Sequence, residues 1–194
     1  ISTGMASVAE IYEAVSSARK AGCKNLVLLK CTSTYPASPK NSNILTIPHM
    51  QEMFECEVGL SDHTMGIGAS IAAVAHGATV IEKHFTLSRE DEGVDSVFSL
   101  EPDEFKALVV ETGRAFQSLG SVKYGVQEQE EKSLLFRRSL YIVENVLAGE
   151  PLTIKNMRCI RPGLGLSPKY FDLLVGKKVN QDVKRGTPVS WDIV

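Results

Sequence analysis

At 194 residues the chain has room for a barrel, or for one medium and one small domain. A net charge of −2 and a pI near 6.1, with no cluster of Lys and Arg, argue against a nucleic-acid partner. No apolar run is long enough to cross a membrane, and no signal-peptide pattern opens the sequence. Cys23, Cys31, Cys56 and Cys159 are scattered without a CxxC pair, which reads as free thiols in a reducing cytoplasm.

Ile1 to Met5 reads as the tail of a strand running into a glycine turn. That is an odd start for a domain, and the expectation is a fragment whose earlier strands are missing. Ser7 caps a helix, with Glu10 completing a capping box. Ile11, Ala14, Val15 and Ala18 hold helical spacing, and Gly22 stops it. Asn25 to Leu29 is a continuous apolar run, as suits a strand covered on both faces. It exits through Lys30-Cys31-Thr32-Ser33-Thr34-Tyr35-Pro36 into a loop with Pro39 and Asn43. A helix follows around Ile47 to Phe54, then a strand at Val58-Gly59-Leu60, and then a small-residue helix from Ile67 to His76. Thr79-Val80-Ile81 is the next strand, ending at Glu82-Lys83-His84. The loop from Leu87 to Leu100 carries Glu90, Asp91, Glu92 and Asp95. The last long helix starts at Pro102, has Asp103 and Glu104 in its first turn, and ends near Gly120.

Residues 1–120 therefore alternate strand and helix, the pattern of a parallel α/β domain. Residues 121–137 are charged and weakly periodic, a linker or solvated helix. From 138 to 194 the segments are short and β-rich. Val146 to Thr153 is echoed by Val183 to Ser190 at an offset of 37 residues. Two like turn-and-strand units predict a small pseudo-symmetric β domain.

In parallel α/β folds function gathers at the C-terminal ends of the strands. Side chains alternate along a strand. By that parity Ser61 and His63 share a face, as do Glu82 and His84, and as do Cys31, Ser33 and Tyr35. The set facing inward is Ser33, Tyr35, Ser61, His63, Glu82 and His84. Asp62 and Lys83 point the other way, as a structural ion pair. His63 and His84 lie 21 residues apart at consecutive strand ends. Two neutral imidazoles with waters and a substrate oxygen suit a divalent metal, which would polarise a carbonyl or activate a water. Two separately satisfied histidines are the other reading, since no HxxxH pattern joins them. The strand-end hydroxyls and helix N-termini suit a phosphate or carboxylate. Cys31 reads as core, the acids from Glu90 to Asp95 as solvated, and His49 and His76 as surface or packing histidines. Arg161-Pro162-Gly163 is a turn, or a rigid mount for an Arg that holds an anionic or polyhydroxyl ligand.

Five segments together resemble the sialic-acid synthase family, bacterial enzymes that condense phosphoenolpyruvate with an N-acetylated sugar. They are Ile1 to Met5, Lys30 to Pro36, Gly59-Leu60-Ser61-Asp62-His63-Thr64, Glu82-Lys83-His84-Phe85-Thr86, and Arg161-Pro162-Gly163, in the family's order. Asp95 to Pro102 and the Cys31-Thr32-Ser33 form look like the pseudaminic branch; the sialic and legionaminic branches more often carry Asn where Ser33 stands. The resemblance implies the second half of a (β/α)8 TIM barrel followed by an antifreeze-like SAF domain of the β-clip type. It implies His63 and His84 as catalytic ligands of a divalent metal, Mn²⁺ foremost, with Mg²⁺ or Co²⁺ as substitutes. Ser2, Ser33 and Ser61 match positions that hold phosphoenolpyruvate. Tyr35, Asp95, Phe136 and Arg161 match positions that meet the sugar, Arg161 reaching the partner subunit of a domain-swapped homodimer. The family's basic phosphoenolpyruvate ligands would lie upstream, and a half barrel leaves an unpaired strand at each edge, so these residues alone are expected to be catalytically silent and poorly soluble as a monomer. A non-catalytic sugar-binding SAF module is the alternative of another class.

Overall fold

The computed structural model describes residues 1–91 and 93–194, so Glu92 of the acidic loop lies outside the described residues. The chain divides into two compact units, Ile1–Val122 and Lys123–Val194.

The first unit opens with Ile1 to Thr3 laid parallel on the next strand: the Leu29 N–H donates to the Ile1 carbonyl at 2.8 Å, and the Thr3 N–H donates to the Leu29 carbonyl at 2.9 Å. Helix α1, Val8–Lys20, is fixed by the expected capping box, with the Ser7 N–H donating to Glu10 Oε2 at 2.7 Å. Strand β1, Val27–Cys31, starts two residues later than hydropathy predicts, because its register follows β2, Glu57–Asp62, rather than the apolar run. Lys30 thus falls inside the strand, its ammonium donating to the Cys31 carbonyl at 2.8 Å and to Thr32 Oγ1 at 3.3 Å. Burial pulls the Lys30 ammonium below its usual range, against a smaller opposing effect of the Cys31 thiol.

Helix α2, Thr46–Phe54, packs Ile47, Met50 and Phe54 onto Leu28 and Val58. Helix α3, Gly68–Ala75, covers the next stretch of the sheet, and β3, Ile81–Lys83, completes the parallel order β1-β2-β3. Backbone bonds already join the two chains upstream, from the Thr79 N–H to Val58 O and from the Leu60 N–H to Val80 O. Gly59 makes this approach possible: a Cβ there would sit 2.2 Å from the Val80 carbonyl oxygen. Helix α4, Pro102–Leu119, begins with Glu101 and Glu104 in a reciprocal cap, and Arg89 bridges both carboxylates.

In the second unit, Glu128–Phe136 forms exposed 3-10 turns. Strand β4, Ser139–Ile142, pairs antiparallel with β5, Met157–Ile160, and a short helix α5, Phe171–Leu174, follows. The internal echo becomes a pseudo-twofold arrangement. Val146 and Val183 exchange backbone bonds with each other at 2.9 and 2.8 Å. The Gly149 N–H reaches Val179 O and the Gly186 N–H reaches Ile142 O, both at 2.8 Å and related by the same offset of 37 residues. Asp182 Oδ1 accepts from the Ala148 N–H and Asn145 Oδ1 from the Arg185 N–H, a further symmetric pair. Gly149 and Gly186 have φ of 87° and 91°, the left-handed region that glycine tolerates. Leu140, Ile142, Leu152 and Val189 fill the core between the halves.

Candidate active site at the strand ends

β2 and β3 run parallel and in register through Asp62↔Lys83, so the residues just past that pair, His63 and His84, emerge side by side. Their ring centroids are 5.1 Å apart at an interplanar angle of 70°. Tyr35, carried beyond β1, lies 4.3 Å from the His63 ring and 6.0 Å from the His84 ring. Phe98 closes the cluster, 4.9 Å from His84 and 5.9 Å from Tyr35.

His63 is buried, and its Nδ1 lies 2.9 Å from the Thr32 carbonyl oxygen. A carbonyl oxygen only accepts, so Nδ1 carries the proton, and in the neutral ring Nε2 keeps its lone pair. His84 Nδ1 lies 3.5 Å from Asp95 Oδ2. That carboxylate is delivered by the turn Ser96–Phe98, steadied by Ser99 Oγ donating to the Asp95 carbonyl at 2.7 Å. His63 thus turns Nδ1 to an oxygen acceptor, the usual way a metal-binding histidine is held, and His84 Nδ1 faces the Asp95 carboxylate. The pair fits part of a divalent ion's shell, leaving positions for water and substrate. Among the described residues no group of three or more His, Cys, Asp or Glu side chains is arranged to hold a metal.

Ser61 Oγ donates to Glu82 Oε1 at 2.7 Å, across the inward face that parity assigns to both. Ser33 Oγ sits 3.9 Å from the buried Cys31 thiol, and Ser2 is exposed on the edge beside Leu29. On the opposite face Lys83 Nζ pairs with Asp62 Oδ2 at 2.9 Å, both side chains 1% exposed, as the alternation predicts. His49 and His76 are exposed and belong to no such cluster.

Phe136 and Arg161 belong to the other unit. There the Gly163 N–H donates to the Leu135 carbonyl at 3.0 Å, which sets the Arg161-Pro162-Gly163 turn beside the segment carrying Phe136. Ser139 Oγ donates to the Pro162 carbonyl at 2.7 Å and accepts from the Gly165 N–H at 2.9 Å, so the turn is rigidly mounted while Arg161 and Phe136 stay exposed. Sequence reasoning missed Phe98 and the Thr32 carbonyl. Phe98 lies in a loop without periodicity, and a main-chain acceptor leaves no trace in residue type.

Residues 1–124 match the NeuB family, and residues 137–194 match the SAF domain. The chain belongs to the NeuB family. A NeuB relative, the pseudaminic acid synthase of Campylobacter jejuni subsp. jejuni serotype O:2, is 42% identical over 186 residues, covering 96% of this chain and 54% of its own length. The N,N'-diacetyllegionaminic acid synthase of the same organism is 37% identical, over 95% of this chain and 56% of its own. Among solved structures, the spore coat polysaccharide biosynthesis protein SpsE of Bacillus subtilis superposes with a TM-score of 0.59 at 31% identity, covering 100% of this chain and 60% of that one. The chain thus spans little more than half the length of these relatives. The fold is the second half of a TIM barrel followed by a SAF domain.

Proposed function

We propose that this chain contributes the strand-end site of a nonulosonic acid synthase of the pseudaminic type. The reaction is condensation of phosphoenolpyruvate with an open-chain 2,4-diacetamido-trideoxy hexose to give pseudaminic acid and phosphate. One observation carries the reading: Tyr35, His63, His84, Asp95 and Phe98 converge at adjacent strand ends in a NeuB-family chain. The 42% identity to a pseudaminic acid synthase supports the choice of sugar.

His63 and His84 hold a divalent ion, Mn²⁺ foremost, which when bound polarises the sugar aldehyde and makes a water more acidic. The Thr32 carbonyl keeps the proton on His63 Nδ1 and so reserves Nε2 as the ligand. Asp95 stands 3.5 Å from His84 Nδ1 and lies, half-exposed, where sugar hydroxyls can reach it. Tyr35 and Phe98 pack their rings against the imidazoles, Phe98 buried and Tyr35 open to solvent. Ser2, Ser33 and Ser61 orient phosphoenolpyruvate. Ser61 donates its hydroxyl hydrogen bond to Glu82 in this state and must turn it towards the anion on binding. In the reaction C3 of phosphoenolpyruvate bonds to the aldehyde carbon, water adds at C2, and phosphate leaves with the bridging oxygen. Phe136 and Arg161 meet the sugar, Arg161 across a domain-swapped homodimer. The unpaired thiols of Cys23, Cys31, Cys56 and Cys159 support a cytoplasmic setting.

The test is turnover of the intact enzyme with each candidate sugar and phosphoenolpyruvate. Preference for the diacetamido-trideoxy hexose is expected; preference for N-acetylmannosamine overturns the pseudaminic assignment. His63→Ala should abolish metal-dependent turnover, and retained turnover removes the metal role.

A further inference from the structure

The parallel ladder between β2 and β3 ends at Asp62↔Lys83, one residue short of both histidines. Beyond it the two chains turn to different neighbours: the His63 carbonyl accepts from the Ala37 N–H, and the His84 carbonyl from the Leu100 N–H. The spacing of the imidazoles needs another tie, and the face opposite the rings supplies one. Lys83 Nζ donates to Asp62 Oδ2 at 2.9 Å and also to the Thr64 carbonyl. Asp62 Oδ1 accepts from the Thr64 N–H at 2.8 Å, and Oδ2 accepts from Ser70 Oγ at 2.7 Å. One buried ammonium, on the residue before His84, therefore grips the residues on both sides of His63.

We propose that Lys83 and Asp62 are positioning residues: their buried pair sets the separation and aim of the His63 and His84 rings on the other face, and so the affinity of the two-histidine site for a divalent cation. The inference rests on the reading of the histidines as metal ligands. Burial at 1% exposure makes the pair rigid, since neither partner can exchange its bonds for water. Ser70 ties the same carboxylate to α3, so the helix between the two strands is locked to the clamp as well. Thr64 Oγ1, by contrast, is buried without a partner among the described residues, so the grip on residue 64 runs through its main chain.

Stability and positioning can be separated. Lys83→Met leaves the Asp62 carboxylate buried and unpaired, which by itself can unfold the domain. The double variant Asp62→Leu/Lys83→Met removes both charges, and replacing a buried pair by apolar side chains is often neutral for stability. It lacks every hydrogen bond that holds Thr64. The probes are Mn²⁺ alone, titrated into the intact protein with free ion followed by electron paramagnetic resonance, the nuclear Overhauser contact between the two imidazoles in metal-free protein, and the thermal midpoint. The double variant is expected to fold with a lowered thermal midpoint, since the buried Ser70 Oγ and Thr64 N–H lose their acceptor, to bind Mn²⁺ about tenfold or more weakly, as loss of outer-shell partners does, and to lose the ring-to-ring contact. A folded double variant with parental Mn²⁺ affinity and an intact ring contact overturns the proposal. If His63→Ala leaves Mn²⁺ affinity unchanged, the metal reading fails by itself. The ring-to-ring contact then decides the clamp: its loss in the double variant supports the proposal, and its retention sinks it.

Discussion

The two units solve the same problem in opposite ways. Unit 123–194 closes on itself: each half of its pseudo-twofold core receives backbone bonds from the other, and Leu140, Ile142, Leu152, Met157 and Val189 are fully enclosed. In unit 1–122 the buried cluster lies between the sheet and helices α1 to α3. Helix α4 buries Leu108 but leaves Val109 and Phe116 60% and 70% exposed. The cluster of Tyr35, His63, His84 and Phe98 sits on the less enclosed unit, at strand ends where ladder bonds run out. Self-pairing makes a stable body with little room for a site, whereas a parallel sheet whose strand ends stay open has room but needs added ties such as the Asp62–Lys83 pair.

The sharpest way to break that contrast is to empty each core in turn. Leu140→Ala should destabilise unit 123–194 by about 2–5 kcal/mol, and Leu28→Ala should do the same to unit 1–122. Calorimetry should show two transitions, each variant lowering one. A single transition lowered by both variants would mean the units are not independent. Gly59→Ala comes next. Its Cβ meets a main-chain oxygen, so β2 and β3 must part, at about 1–3 kcal/mol in urea unfolding. Unchanged stability would show that the sheet is looser than its ladder implies. Smaller still, Asn145→Ala and Asp182→Ala each remove one of the paired side-chain acceptors, worth about 1 kcal/mol. Equal losses would make the symmetry energetic; strongly unequal ones would limit it to shape.

Where a residue's role follows from period, the sequence reveals it. Strand parity put Asp62 and Lys83 on one face and both histidines on the other, and the 37-residue echo foretold the two-fold character of the second unit. Where a role depends on which chain lies alongside, it does not. The start of β1 shifted because β2 sets its register, Phe98 entered the site through an aperiodic loop, and the acceptor for His63 is a main-chain carbonyl. The pairing of Asn145 with the turn at Arg185 is of this kind too. Its partner in the echo is Asp182, so likeness of residue type hides behind a change of charge.

The smallest effect concerns pH and separates the units by titration. Lys30 lies half-buried in β1, and burial holds its folded pKa below the usual value of 10.5. Well below that folded value both states carry the proton, and the desolvated ammonium weakens the fold by a constant amount. Between the folded value and 10.5 the unfolded chain binds more protons, so stability rises with pH. Above 10.5 both forms are neutral and the weakening is gone. Lys30→Met should therefore flatten the alkaline rise in the urea midpoint of unit 1–122 and leave the transition of unit 123–194 where it was. Because Lys30 also donates to Thr32, whose carbonyl fixes the His63 tautomer, the same variant should loosen His63. A flattened profile with unchanged His63 ring resonances would assign Lys30 to strand electrostatics alone. An unflattened profile would mean its ammonium is better hydrated than its place in β1 implies.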